Sequence, residues 1–83
     1  RQTVRQRVAK ALLDLHQKGV LSDKDTSSIS IARDDFAGLI GTATETAIRM
    51  LTEFKDEGLI TIDAGRKITI KDEKTLEDIV VFN

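Results

Sequence analysis

Five side chains, Thr44, Glu45, Ile48, Arg49 and Thr52, recur at helical spacing, and the apolar residues Ala47, Met50, Leu51 and Phe54 fall on the other side of the same turn pattern. The outward group is short or hydrogen-bonding and lies near a helix start, which suits the edges of nucleic-acid bases in a groove. A glutamate accepts from the cytosine amino group and an arginine grips guanine through two hydrogen bonds, each pairing worth about 1–3 kcal/mol of discrimination. Glu45 and Arg49 stand one turn apart and can read adjacent base pairs. Thr44 can meet a base edge or a phosphate, Ile48 a thymine methyl, and the hydroxyls of Thr42 and Thr46 a phosphate oxygen. The same residues have a plain helical reading. Thr42 and Glu45 have the spacing of a capping box, and Glu45 with Arg49 that of an i,i+4 ion pair. Spacing leaves both readings open.

The elements that must carry this face follow from the flanking pattern. Asp34 and Asp35, charges suited to a helix N-terminus, precede an apolar stripe of Phe36, Ala37, Leu39 and Ile40. Gly41 stops that short helix, and a third helix begins within about four residues, near Thr44. Two helices so joined, with small Ala37 in the first, Gly41 at the turn, and Ala47 and Met50 where the second must pack back on the first, meet the demand of a helix-turn-helix.

Upstream, Val4, Val8, Ala11, Leu12 and Leu15 form one amphipathic face, with Thr3 and Gln6 as a capping box and Lys18-Gly19 predicting an end near Gln17. Leu21 to Ser28 reads as a polar loop, and Ile29 and Ile31 alternate with serines as a short strand. After Gly58, the runs 59–62 and 67–70 read as two strands joined by Asp63-Ala64-Gly65-Arg66, a hairpin wing. Arg66 and Lys67 in that wing, with Arg33 at the start of the second helix, are candidate phosphate ligands, although charge in a hairpin turn is often only solvation. Asp72 is a candidate cap for a closing helix through Leu76, Ile79 and Val80. The expected fold is mainly α with a small β component: a winged helix-turn-helix with a three-helix core, a hairpin wing and a short C-terminal helix. Residues 1–83 are read as one domain.

Composition bounds the alternatives. The 83 residues are 40% hydrophobic, with three Phe and no Cys, so the core is aliphatic and disulfides and cysteine-ligated metals are excluded. No apolar run is long enough for a membrane span, and Arg1 opens no hydrophobic leader, which predicts a cytoplasmic protein with no membrane partner. The missing initiator Met suggests a piece of a longer protein. No catalytic cluster, nucleotide loop or metal-ligand set is apparent, so an enzyme is not expected. His16 reads as a helix C-terminal surface residue, and Asp23 and Asp25 as a solvated loop rather than a metal site. A net charge of −1 weighs against nucleic acid and mildly favours a protein-binding winged helix. Binding nevertheless depends on where the basic residues gather, not on their sum.

Taken together, the segments resemble the C-terminal domain of the Crp/Fnr family of bacterial transcription regulators. The resemblance is carried by Thr3-Val4, Arg7-Val8-Ala9 and Leu12-Leu13, by Ile31-Ala32-Arg33-Asp34-Asp35-Phe36-Ala37, and by Gly41-Thr42-Ala43-Thr44-Glu45-Thr46 into Arg49. Gly58-Leu59-Ile60 and Gly65-Arg66-Lys67-Ile68 complete it. The resemblance implies double-stranded promoter DNA as partner, Glu45 and Arg49 as base readers, Arg33 and Thr46 on phosphates and Arg66 as a wing contact. It further implies a sensor domain and dimerisation helix outside this chain, a homodimer on two-fold sites, and no cofactor in this domain, the sensor's effector being unknown. The 21–28 loop corresponds to a segment with which some relatives touch RNA polymerase. Thr44 and Ile48 depart from the arginine and the glycine or serine common there, so the site sequence should differ. Ala32 and Ala43 replace hydroxyl residues and remove possible caps.

Overall fold

Thr3 and Gln6 close the first helix start on itself: Gln6 N donates to Thr3 Oγ1 at 3.1 Å and Thr3 N to Gln6 Oε1 at 2.9 Å, the reciprocal bonds of a capping box. The computed structural model describes residues 2–21 and 28–82. Helix α1 (Val4–Leu21) buries Val8, Ala9 and Leu12 completely. It runs past the expected end near Gln17, with Gly19 inside it. A glycine inside a helix costs only about 1 kcal/mol, too little by itself to end one whose preceding turns pack on the core through Val8, Leu12 and Leu15. Leu21, read as the start of a loop, is the last helical residue, and the rest of that loop to residue 27, with Asp23 and Asp25, lies outside the described residues.

Helix α2 (Arg33–Ile40) and helix α3 (Thr44–Asp56) end alike. At Gly41 (φ 69°) the Thr42 N–H reaches back to Ala37 O at 3.1 Å, and at Gly58 (φ 80°) the Leu59 N–H reaches back to Phe54 O at 3.0 Å. Both are the six-to-one bond of a Schellman end, which needs a left-handed residue that glycine supplies without strain. Ala37 and Ala47 are buried where the two helices pack, leaving no side-chain bulk to hold them apart.

Strands β1 (Ile60–Ile62) and β2 (Ile68–Ile70) pair antiparallel, Ile60 with Ile70 and Ile62 with Ile68. Each is one residue shorter at its start than the pattern predicted, because Leu59 turns its carbonyl to the N–H groups of Lys71 and Asp72, and Lys67 belongs to the turn. Among the described residues the expected strand at Ile29 and Ile31 is reduced to a single bridge: Ile29 exchanges both backbone bonds with Ile68, and Ile31 makes no such pair. Helix α4 (Glu73–Phe82) is capped as predicted by Asp72, whose carboxylate takes the Thr75 N–H at 3.1 Å and its hydroxyl at 2.7 Å. One hydrophobic cluster gathers residues from all four helices and the hairpin, with Phe36 and Phe54 fully buried; burying each contributes about 1.5–3 kcal/mol. Arg5 closes the cluster beside α3, its guanidinium 4.9 Å from the Phe54 ring centroid and gripping Glu57 with two bonds.

Candidate nucleic-acid interface

Because Ala47, Leu51 and Phe54 are buried, helical geometry turns Glu45, Ile48, Arg49 and Thr52 outward, and all four are exposed. The plain helical reading of Glu45 is absent. The residue preceding α3 is Ala43, with no side-chain cap, and among the described residues neither the Glu45 nor the Arg49 side chain has a hydrogen bond or ion pair. Both side chains therefore stand one turn apart on an open face. Thr52 is turned back on its own helix, donating to Ile48 O at 3.1 Å.

At the N-terminal end of this face a cleft of about 370 Å³ is lined by Ile31, Ala32, Arg33, Asp34, Thr44, Ile48 and Arg66. It brings the start of α2, the start of α3 and the tip of the wing together. Arg33 is half-buried in its wall, donating to Ile31 O at 3.2 Å and to Arg66 O at 2.7 Å. Burial, and then the neighbouring Arg66 charge, pull the Arg33 guanidinium below its ordinary value, though an arginine stays cationic at any physiological pH. Thr44 is tied as well: its hydroxyl donates to Asp34 Oδ1 at 2.8 Å.

The wing turn is built by Asp63. Its carbonyl accepts the Arg66 N–H at 2.9 Å and its Oδ1 the Lys67 N–H at 2.9 Å. Arg66, not Gly65, takes the left-handed conformation (φ 66°), as in a three-residue hairpin loop whose last position is left-handed. The side chains of Arg66 and Lys67 are exposed, and those of Thr42, in the turn between α2 and α3, and Thr46, in the first turn of α3, are half-exposed without hydrogen bonds among the described residues. Thus Arg33, Thr44, Ile48 and Arg66 share one cleft, Glu45 and Arg49 lie along the adjoining face, and Lys67 sits at the wing tip. Sequence reading missed Asp34 as a member of the cleft. Its position predicted only a favourable charge at a helix start, and no local signal marks a partner ten residues away.

The family model of the Crp-like helix-turn-helix domain matches residues 6–79. The chain belongs to this family. Among relatives, the nitrogen fixation regulation protein FixK of Azorhizobium caulinodans is 30% identical over 92% of the chain and 32% of its own length. The catabolite activator protein of Thermus thermophilus superposes with a TM-score of 0.78 at 31% identity, covering 94% of this chain and 34% of that one. FixK2 of Bradyrhizobium japonicum superposes with a TM-score of 0.81 over 95% of this chain and 39% of its own, and at 22% identity it speaks for the fold alone. The Crp-like chain thus spans about a third of the length of these relatives. Among the described residues, no helix is long and apolar enough to cross a membrane.

Proposed function

We propose that the chain reads duplex DNA in a sequence-specific way, with α3 in the major groove and the wing on the phosphate backbone. The observation that carries this is the pair Glu45 and Arg49: exposed, one turn apart, and without any intramolecular partner among the described residues. A carboxylate and a guanidinium left open on the outer face of a recognition helix are equipped for cytosine and guanine edges. Ile48 adds contact with a thymine methyl and Thr44 a base contact, while Thr42, Thr46, Arg66 and Lys67 approach phosphates. Arg33 supports that backbone contact from the cleft wall. Four cations in this region, Arg33, Arg49, Arg66 and Lys67, stand among the acids Asp34, Glu45 and Asp63, so contact with phosphates rests on individually placed cationic groups rather than on an excess of positive charge.

Residues 1–83 act in this reading as one DNA-binding domain of a cytoplasmic regulator. A sensor and a dimerising helix in the remaining two thirds of a relative-sized protein would present two copies to half-sites about 34–36 Å apart. RNA polymerase is the further partner for an activator of this build.

The test is selection from a randomised duplex pool with the chain joined to a leucine zipper that makes it a dimer, followed by binding of single variants. Arg49→Ala relaxes preference at one base pair, whereas Arg66→Ala weakens all sequences alike and lowers the salt slope by about 1. Equal losses for Arg49→Ala on selected and scrambled duplexes would remove the base-reading assignment. A pool with no enriched motif would favour the protein-binding use of the fold that the acidic balance suggests.

A further inference from the structure

Asp34 is an acidic side chain in a cleft otherwise fitted for an anionic partner. It lies in the first turn of α2 and is exposed, and among the described residues its one side-chain partner is the Thr44 hydroxyl at 2.8 Å. Thr44 is the first residue of α3 and lines the cleft with Ile48, one turn further along the recognition face. A threonine hydroxyl has one proton and two lone pairs, while an ionised carboxylate only accepts. The Thr44 proton is therefore committed to Asp34, and what remains for an outside partner is lone-pair density.

We infer that Asp34 is a specificity-determining residue that fixes Thr44 as a hydrogen-bond acceptor, so that Thr44 selects a base edge carrying an amino group. In the major groove adenine and cytosine present an amino donor, whereas guanine and thymine present carbonyl acceptors. An unconstrained threonine serves either kind because its hydroxyl rotates. Held by Asp34, it accepts from adenine N6 or cytosine N4 and has no proton for guanine O6 or thymine O4. Asp34 need not touch DNA for this. Excluding water as the duplex docks strengthens the tie, since the carboxylate gains no partner from a phosphate. The inference rests on the proposed role of Thr44 as a base contact.

The experiment is the same pool selection with the zipper-joined dimer, scored at the position governed by Thr44. The unsubstituted chain should favour adenine or cytosine over guanine or thymine there by roughly tenfold, the range of one good base contact. Thr44→Val, which keeps shape and removes the hydroxyl, should abolish that ratio. Asp34→Ala should bring it to within about threefold of parity by freeing the proton, and Asp34→Ala in the Thr44→Val background should change it no further. Preferences governed by Glu45 and Arg49 serve as the internal check on folding, and Asp34→Ser, too short to reach the hydroxyl, replaces alanine if that check fails. A general rise in affinity on removing the Asp34 charge leaves the ratio unaffected. If Thr44→Val moves the ratio and Asp34→Ala does not, Asp34 has no part in specificity although Thr44 reads a base. If Thr44→Val moves no position, the base contact itself falls and this inference with it. A preference for thymine in the unsubstituted chain, through the Thr44 methyl, also overturns the acceptor role.

Discussion

Arg33 Nη2 donates to the main-chain carbonyl of Arg66 at 2.7 Å, so a side chain at the start of α2 holds the tip of the wing from 33 residues away. Two cations are drawn together by a bond that uses the charge of one and only the backbone of the other. The Arg66 guanidinium is left exposed.

The first prediction concerns this tie. Arg33→Ala should lower affinity for selected and scrambled duplexes alike by about tenfold, because a freed wing no longer places Arg66, with a stability loss of about 1 kcal/mol from the lost bonds. Arg33→Lys should recover only part of the affinity, since an ammonium lacks the fork that spans two carbonyls. Fluorescence anisotropy across a salt series, with the Arg33→Ala, Arg66→Ala and double variants, checks it. If Arg33 acts through Arg66, the double variant matches Arg66→Ala; fully additive losses would show that Arg33 meets DNA on its own account.

Arg66 itself gives the second prediction. A left-handed conformation costs a non-glycine residue about 1–2 kcal/mol, part of which returns through the more flexible unfolded chain when glycine replaces it. Arg66→Gly should therefore stabilise the chain by roughly 0.5–1 kcal/mol in urea unfolding while weakening DNA binding. Opposite signs in the two measurements are the mark of strain kept at a functional position. A variant less stable than the parent would contradict it.

The third prediction is a pH dependence. The double hydrogen bond from Arg5 holds the Glu57 carboxyl below its ordinary 4.5. A carboxyl depressed in the folded state contributes stability above its unfolded value, and that contribution is lost as pH falls through the folded one. Below about pH 4.5 the parent should lose stability more steeply than Glu57→Gln, and 0.5 M salt should narrow the gap because the pair is largely exposed. Thermal unfolding from pH 7 to pH 3 checks this, and parallel curves would refute it. Asp72, depressed by its hydrogen bonds from Thr75, adds a slope of the same sign to both proteins.

What was legible in the sequence was local. Thr3 with Gln6, Gly41, Gly58 and Asp72 each act within five residues, and each does in the structure what its type predicts. The outward placement of Glu45, Ile48 and Arg49 was legible too, because helical periodicity decides it once Ala47 and Leu51 are buried. Gly19 misled because a helix-breaking tendency of about 1 kcal/mol is decided by packing that no local window contains. Ile29 misled for a related reason, its alternation marking burial while its one backbone partner among the described residues is Ile68. The ties of Arg33 to Arg66 and of Thr44 to Asp34 join residues that only the fold brings together.

Among the described residues, the starts of the four helices divide into two kinds. Thr3 with Gln6 and Asp72 close α1 and α4 by side-chain hydrogen bonds, while Ala32 and Ala43 leave α2 and α3 without such closure. A missing cap lowers the free energy of opening a helix's first turn by about 1 kcal/mol. The outer pair thus closes itself locally, whereas the inner pair is held by ties to other elements, Arg33 on the Arg66 carbonyl and Thr44 on Asp34. The starts of α2 and α3 are therefore coupled to each other and to the wing, so that a displacement of the wing tip is felt at both helices.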